Sequence, residues 1–383
     1  MTNKILNLSL ILFFLLSSCS KKDESSPAFG EMPGSGQGGS GNQSQPGVIT
    51  AGEWNDLDNW NFWETLIAKD DYKAMPTYWT VFNNNRVAVE VLDSDSSFSV
   101  DALVQLKRGG ITIFNARTDN KGRAELWVDL FQNNTNVDFS TLEIDINNGA
   151  HVLSAVKPFN EGINKAVIAP IAVANKIEIA FVVDATGSMG DELEYLKTEL
   201  LDVIGRVKSA NPISTINTSS VFYRDAGDDY VTRISPFTND INLTTNFIKN
   251  QSAGGGGDFP EAVHTALDKA VNELQWATKA KTRLLFLVLD APPHYESEVI
   301  SNLQSSLLSA CEKGIKIIPI TASGIDKETE FLMRFLSIST NGTYVFVTDH
   351  SGVGNSHLEP SVGQYQVEFL NDLMVRLINK YAL

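Results

Sequence analysis

The most chemically pointed stretch of this chain is an aspartate that ends an apolar run and is followed by two hydroxyls. Residues 177–183 are apolar apart from Glu178 and lead into Asp184-Ala185-Thr186-Gly187-Ser188-Met189-Gly190. A carboxylate with two hydroxyls offers only oxygen, which suits a hard cation such as Mg²⁺, Mn²⁺ or Ca²⁺. Neutral hydroxyls leave much of the cation's charge unbalanced, so an anionic ligand from outside is attracted. Gly187 and Gly190 allow the tight turn that gathers these oxygens. A second carboxylate, Asp290, ends the apolar run 284–289. Between the two lies a run of four glycines, 254–257, ending in Asp258. Four glycines cost backbone entropy, so the loop is expected to approach something closely. Tyr223-Arg224-Asp225 ends a third run. Asp225 suits either a place beside the ion or a structural one, pairing with Arg224 or capping a turn. His294 follows Asp290 closely, but the surrounding ligands are oxygen. The other histidines (151, 264, 350 and 357) lack zinc spacing.

These residues need a scaffold that brings the ends of several apolar runs together. From about residue 174 the chain alternates short apolar runs with stretches of helical period. Leu193, Leu196, Leu200, Val203, Ile204 and Val207 line one such face, and a helix over 297–313 is closed by Gly314. Residues 230–234 read as a short strand. This order predicts an α/β fold with a doubly wound, mainly parallel sheet and helices on both faces. Ligands then bind outside the carboxyl ends of the strands. If the strands before Asp184 and Asp290 are neighbours, the two carboxylates converge.

The stretch Asp184-Ala-Thr186-Gly-Ser188 resembles the Asp-x-Ser/Thr-x-Ser motif of von Willebrand factor A domains, the signature of a metal-ion-dependent adhesion site. The resemblance covers 174–383. It implies that Asp184, Thr186 and Ser188 are metal ligands, with Asp290 as the distal aspartate. It also implies a protein partner whose acidic side chain completes the metal shell. Where that family usually has a threonine, this chain has Gly257 or Asp258. Asp258 is therefore expected as a further metal ligand that adds charge, with Gly187, Gly257 and Asp225 around it. The same stretch also resembles the phosphorylated-aspartate motif of haloacid-dehalogenase-type phosphatases, but no suitable lysine ends a strand. A structural envelope protein with a vestigial metal site is the third reading. The expectation is a binding protein, not an enzyme.

The rest of the chain describes how such a domain is presented. Residues 1–18 read as a signal peptide, with Lys4 before an apolar run over 8–16 that is too short to span a bilayer. Leu16-Ser17-Ser18-Cys19 resembles a bacterial lipoprotein cleavage site, which implies lipidation of Cys19 and an outer-membrane location, with either surface or periplasmic exposure. Cys311 is then without a partner and reads as a buried apolar group. Residues 19–50, rich in Gly, Ser, Gln and Pro, are expected to form a tether spanning on the order of 30 Å. Residues 51–84 are a Trp-rich helical segment whose rings are expected to cap the next core. Residues 85–172 alternate with period two between glycine turns, predicting a small β-sandwich that resembles the carboxypeptidase-regulatory-like domain. The net charge of −16 is spread along the chain, with no basic patch for a nucleic acid.

Overall fold

Strands buried on both faces form the frame of the molecule. The computed structural model describes residues 45–383. In chain order the strands are β1 (Thr50–Trp54), β2 (Arg86–Asp93), β3 (Leu103–Arg108), β4 (Ile111–Arg117), β5 (Arg123–Trp127), β6 (Leu142–Ile146), β7 (His151–Leu153), β8 (Asn164–Ile168), β9 (Lys176–Asp184), β10 (Thr215–Tyr223), β11 (Thr232–Thr238), β12 (Thr282–Leu289), β13 (Ile315–Thr321), β14 (Tyr344–Val347) and β15 (Glu368–Phe369). The helices are α1 (Trp60–Ile67), α2 (Met75–Trp79), α3 (Gly190–Ala210), α4 (Ile241–Lys249), α5 (Val263–Asp268), α6 (Ser297–Lys313), α7 (Lys327–Ser339) and α8 (Leu370–Ala382).

Eight strands form one sheet in the order β11-β10-β9-β12-β13-β14-β1-β15. The five strands from β10 to β14 in that order run parallel. The outer strands β11 and β1 run antiparallel to their neighbours. Every residue of β12 is buried, and so is every residue of β9 after Lys176. Such near-continuous apolar runs are what a parallel sheet covered on both faces requires. Helices α3, α4 and α8 pack on one face, and α5, α6 and α7 on the other. The mainly parallel α/β fold anticipated from the sequence is therefore present. The strands β9 and β12 are direct neighbours, with Val183 opposite Val288. Asp184 and Asp290 thus leave the sheet side by side. Periodicity does not reveal α4, and the strand expected over 230–234 is displaced to Thr232–Thr238.

Two smaller sheets, β5-β2-β8 and β4-β3-β6-β7, lie between the Trp-rich segment and β9 in the chain. Val89, Val91, Leu106 and Ile144 share one core with Leu307 of α6 and Phe335 of α7. Asp101 also receives both ends of the Arg283 guanidinium, at 2.8 and 3.1 Å, with both groups buried. The small sheets are therefore fastened to the foot of β12.

The N-terminal boundary differs from the expected one. Residues 47–49 fall in the expected tether, yet their backbone N–H groups donate to the buried Glu199 carboxylate at 2.9 to 3.2 Å. Residues 51–54 fall in the expected helical segment, yet they lie in β1, between β14 and β15 of the large sheet. The reason is local. The short stretch TAGEW carries no helical period, and Gly52 passes so close to Phe346 that a Cβ there would lie 2.6 Å from the ring. Downstream, Trp63 is fully buried and stacks on Phe331 at 5.6 Å between centroids. Asp56 binds Arg334 of α7 in bidentate fashion, at 3.0 and 2.6 Å. Tyr72 donates to Glu330 on the same helix at 2.7 Å. The segment is thus part of the α/β domain.

This attachment can be measured in two ways. Asp56→Ala would leave the buried Arg334 short of its main partner, costing about 3–5 kcal/mol in a urea unfolding experiment. A chain that begins at residue 174 lacks β1, Asp56 and Trp63. Its thermal midpoint is expected well below that of 45–383, and equal midpoints would show that the attachment contributes nothing.

Candidate functional site

The carboxyl ends of β9 and β12 meet the turns that follow them and form an acidic pocket. Asp184 has no exposed surface and Asp290 is almost fully buried. One oxygen of Asp184, Oδ1, accepts from the Thr186 amide at 2.8 Å and from the Thr186 hydroxyl at 2.7 Å. These bonds fold the turn back on the aspartate and hold the Thr186 and Ser188 hydroxyls 3.1 Å apart. The other oxygen, Asp184 Oδ2, is buried without a hydrogen-bond partner, as is Asp290 Oδ1. A third carboxylate joins them. Glu261 is almost fully buried, and its Oε2 also lacks a partner. Its amide donates to Pro292 O at 2.9 Å, which pins the segment before α5 to the loop after β12.

The glycine loop closes over this pocket. The Gly187 amide donates to Gly255 O at 3.1 Å, and the Gly254 amide donates to Ala185 O at 3.0 Å. Gly255 and Gly256 both have positive φ. A Cβ at Gly255 would lie 2.4 Å from the Asp228 carboxylate, and one at Gly256 would lie 2.8 Å from Glu261 and 3.3 Å from Thr186. Two of the four glycines are therefore required by backbone conformation and by close approach together. Arg224 is buried, donating to Ala185 O at 3.1 Å and to Ser252 O at 2.9 Å, so it ties the aspartate turn to the glycine loop.

Comparison with known proteins places this frame. The sequence profile described as von Willebrand factor A domain matches residues 178–354. Residues 178–354 are thus similar to von Willebrand factor A domains, in keeping with the mainly parallel α/β fold. A stretch of 126 residues, 33% of this chain and 12% of the relative, is 37% identical to a putative ariadne-like RING finger protein of Acanthamoeba polyphaga mimivirus. A stretch of 203 residues, 52% of this chain and 32% of the relative, is 23% identical to an alpha-protein kinase of Dictyostelium discoideum. The chain thus spans less than a third of each of these two relatives. Among solved structures, the conserved hypothetical protein BatB of Bacteroides thetaiotaomicron has 14% identity and a TM-score of 0.38, over 54% of this chain and 98% of that one. An aerotolerance-related membrane protein of Bacteroides fragilis has 15% identity and a TM-score of 0.36, over 53% of this chain and 99% of that one.

Within this region the structure gathers Asp184, Thr186, Ser188 and Asp290, but not every anticipated residue. Asp258 is exposed and has no hydrogen bond or ion pair among the described residues. A Cβ at Gly257 would meet nothing within 4 Å. The cause is the direction of the glycine loop, which turns outward after Gly256 and re-enters only at Glu261. Glu261, not Asp258, is therefore the buried acid of this segment. Its sequence signal was available in Gly257-Asp258-Phe259-Pro260-Glu261, where the acid next to the following apolar run is Glu261. Asp225 is not paired with Arg224. Its Oδ1 lies 2.8 Å from His294 Nε2, which ties the loop after β10 to the loop after β12. Cys19 lies outside the described residues. Cys311 is buried against Ser339 O, and burial pushes its thiol up to about 12.

Crowding and burial raise the proton affinity of these acids. Burial and the charge of Asp290 raise Asp184 to about 7. Burial raises Asp290 to about 6. Burial and the charges of Asp184, Asp225 and Asp228 raise Glu261 to about 8. The Tyr223 phenol, buried beside Asp184, is pushed well above its ordinary range. Buried oxygens without hydrogen-bond partners beside other acids are a donor set whose repulsion a cation would offset. Among the described residues no three acidic, imidazole or thiol groups make such a centre by themselves, so the hydroxyls of Thr186 and Ser188 are needed in the donor set.

The sign of the resulting pH dependence is fixed. These carboxyls are more basic in the folded chain than in the unfolded one, where they titrate near pH 4. The folded state therefore binds more protons between about pH 4 and pH 8, and stability in chelator falls as pH rises through that window. Glu261→Gln is expected to flatten this fall. Thermal midpoints in EDTA at acid and mildly alkaline pH measure it, and parallel curves for the two proteins would refute the repulsion.

Proposed function

We propose that this protein is a cell-envelope lipoprotein whose von Willebrand factor A domain binds a protein partner through a divalent cation. Asp184, Thr186, Ser188, Glu261 and Asp290 would hold that cation. The observation that carries this reading is the set of three buried carboxylate oxygens, Asp184 Oδ2, Asp290 Oδ1 and Glu261 Oε2, without a hydrogen-bond partner. Buried charges of one sign are costly unless a counter-charge joins them. All the donors are oxygen, which favours Mg²⁺, Mn²⁺ or Ca²⁺ over softer metals. When bound, the ion would supply a positive centre with room for an oxygen from the partner, such as an acidic side chain.

The chain's own residues do the remaining work. Thr186 orients Asp184 through two hydrogen bonds to one oxygen, leaving the other oxygen free. Arg224 and the glycine loop hold the turn in place. The presentation at the envelope rests on Leu16-Ser17-Ser18-Cys19, with lipid on Cys19 as the anchor. Among the described residues no helix is long and apolar enough to cross a membrane.

Calorimetric titration of the chelator-stripped chain with Mg²⁺, Mn²⁺ and Ca²⁺ tests the reading. Asp184→Ala is expected to abolish binding, and Glu261→Ala to weaken it by at least about tenfold. Asp258→Ala is expected to leave it within about twofold, because that side chain faces solvent. Absence of heat with the unsubstituted chain for all three ions would overturn the proposal.

A further inference from the structure

The segment 348–367 links β14 to β15 and contains nothing more regular than a single helical turn. Two pins hold it. Val353 is buried in the core shared by α3 and α8. At the far end the Ser361 amide donates to Glu330 at 2.8 Å, and Ser361 O accepts from Arg334 at 2.7 Å. Between the pins, among the described residues, 354–359 is tied to the rest of the chain by hydrogen bonds and ion pairs through His357 alone.

The His357 ring is 4% exposed and sits between two carboxylates. Its Nδ1 lies 2.7 Å from Asp349 Oδ1, and the same oxygen accepts from the His357 amide at 2.9 Å. Its Nε2 lies 3.3 Å from Oε1 of Glu192, in the first turn of α3. Glu192 is buried, and its Oε1 also accepts from the Ser323 amide, after β13, at 3.1 Å. Its Oε2 has no hydrogen-bond partner. A Cβ at Gly354 would collide with the Glu192 carboxylate, so the segment lies directly on that acid.

This geometry depends on one proton. A neutral imidazole has a single N–H, so between two carboxylates it donates to one and turns a lone pair toward the other. The imidazolium donates from both nitrogens and offsets one of the two negative charges. No Lys or Arg pairs with Glu192 or Asp349 among the described residues, so the ring is their charged partner. Behind them, His350 adds positive charge near Asp349, and Asp290 feels the charge of Glu192. Burial lowers the proton affinity of His357, but Glu192 and Asp349 outweigh it, and the ring holds its proton above the ordinary histidine range.

We propose that His357 is a proton-controlled latch, which clamps 354–359 onto the start of α3 and releases it when the ring becomes neutral. Helix α3 begins two residues after Ser188, so the latch stands at the edge of the acidic pocket. Release uncovers Glu192 and the first turn of α3, and the proton thereby sets how much of this rim a partner meets. The clamping contacts do not include Asp184, Thr186, Ser188, Glu261 or Asp290, so the latch works with or without a cation. Because folding raises the affinity of His357 for its proton, the clamp is complete below about pH 6.5 and is lost as pH rises through the folded value.

Hydrogen exchange of the full chain tests the latch. It is read by mass spectrometry on peptides within 349–362, as protection factors that remove the chemical effect of pH. Protection is expected to fall at least about threefold from about pH 6 to about pH 8.5. His357→Gln is expected to show low protection at both values with no step, while His350→Gln keeps the step. Asp349→Asn removes one of the two carboxylates and is expected to move the step to lower pH. Protection that does not change with pH, a step that persists in His357→Gln, or a step lost in His350→Gln would overturn the proposal. An unmoved step in Asp349→Asn would overturn the bridge between two carboxylates.

Discussion

Buried carboxylates near one another repel, and here Asp184, Asp290 and Glu261 each keep a buried oxygen without a hydrogen-bond partner. The repulsion is opposed by the frame around them. Parallel neighbours β9 and β12 bring Asp184, one residue after Val183, and Asp290, two residues after its partner Val288, to adjacent strand ends. The bond from Glu261 N to Pro292 O fixes the third acid to the loop that follows β12. Arg224 and the two amides of Gly187 and Gly254 lock the remaining turn. Under the proposed reading, a fold that bears this electrostatic cost would offer a cation a preformed site, with little reorganisation left for binding.

Attachment by a few buried charges also shapes the other side of the molecule. Arg334 of α7 is completely buried, and Asp56 and Glu330 surround it. Its Nη1 also donates to Ser361 O at 2.7 Å. One guanidinium therefore joins the Trp-rich segment, helix α7 of the α/β domain and the chain that leads to β15 and α8. The small sheets are joined through Arg283 and Asp101 in a similar way. The N-terminal elements and the acidic pocket thus share a continuous frame, and force applied ahead of β1 would reach the large sheet through that strand. The C-terminal loop is also held near the pocket, since His357 lies between Asp349 at 2.7 Å and Glu192 of α3 at 3.3 Å.

Glu261 and Asp258 show how far spacing carries. Both acids sit in one pentapeptide, and their types are equally suited to a hard cation. Which of them points inward depends on where the glycine loop turns, and that is set by Asp228 receiving the Gly256 amide at 2.8 Å. Asp228 lies 28 residues earlier, so nothing local to the pentapeptide records the choice. The pairing of Asp225 with His294 rather than Arg224 has the same origin, because its partner comes from a different strand end.

Local pattern along the chain was enough to establish the apolar runs long enough for buried strands, the helical faces between them, and a carboxylate with two hydroxyls at the end of one run. Burial and backbone geometry act over a few residues, so periodicity records them. Folding in three dimensions decided that β1 enters the large sheet, that Glu261 completes the acidic pocket, and that Asp258 belongs to an exposed rim. Those outcomes depend on hydrogen bonds and charges between residues far apart in the chain. Their energies depend on distances that only the folded backbone sets.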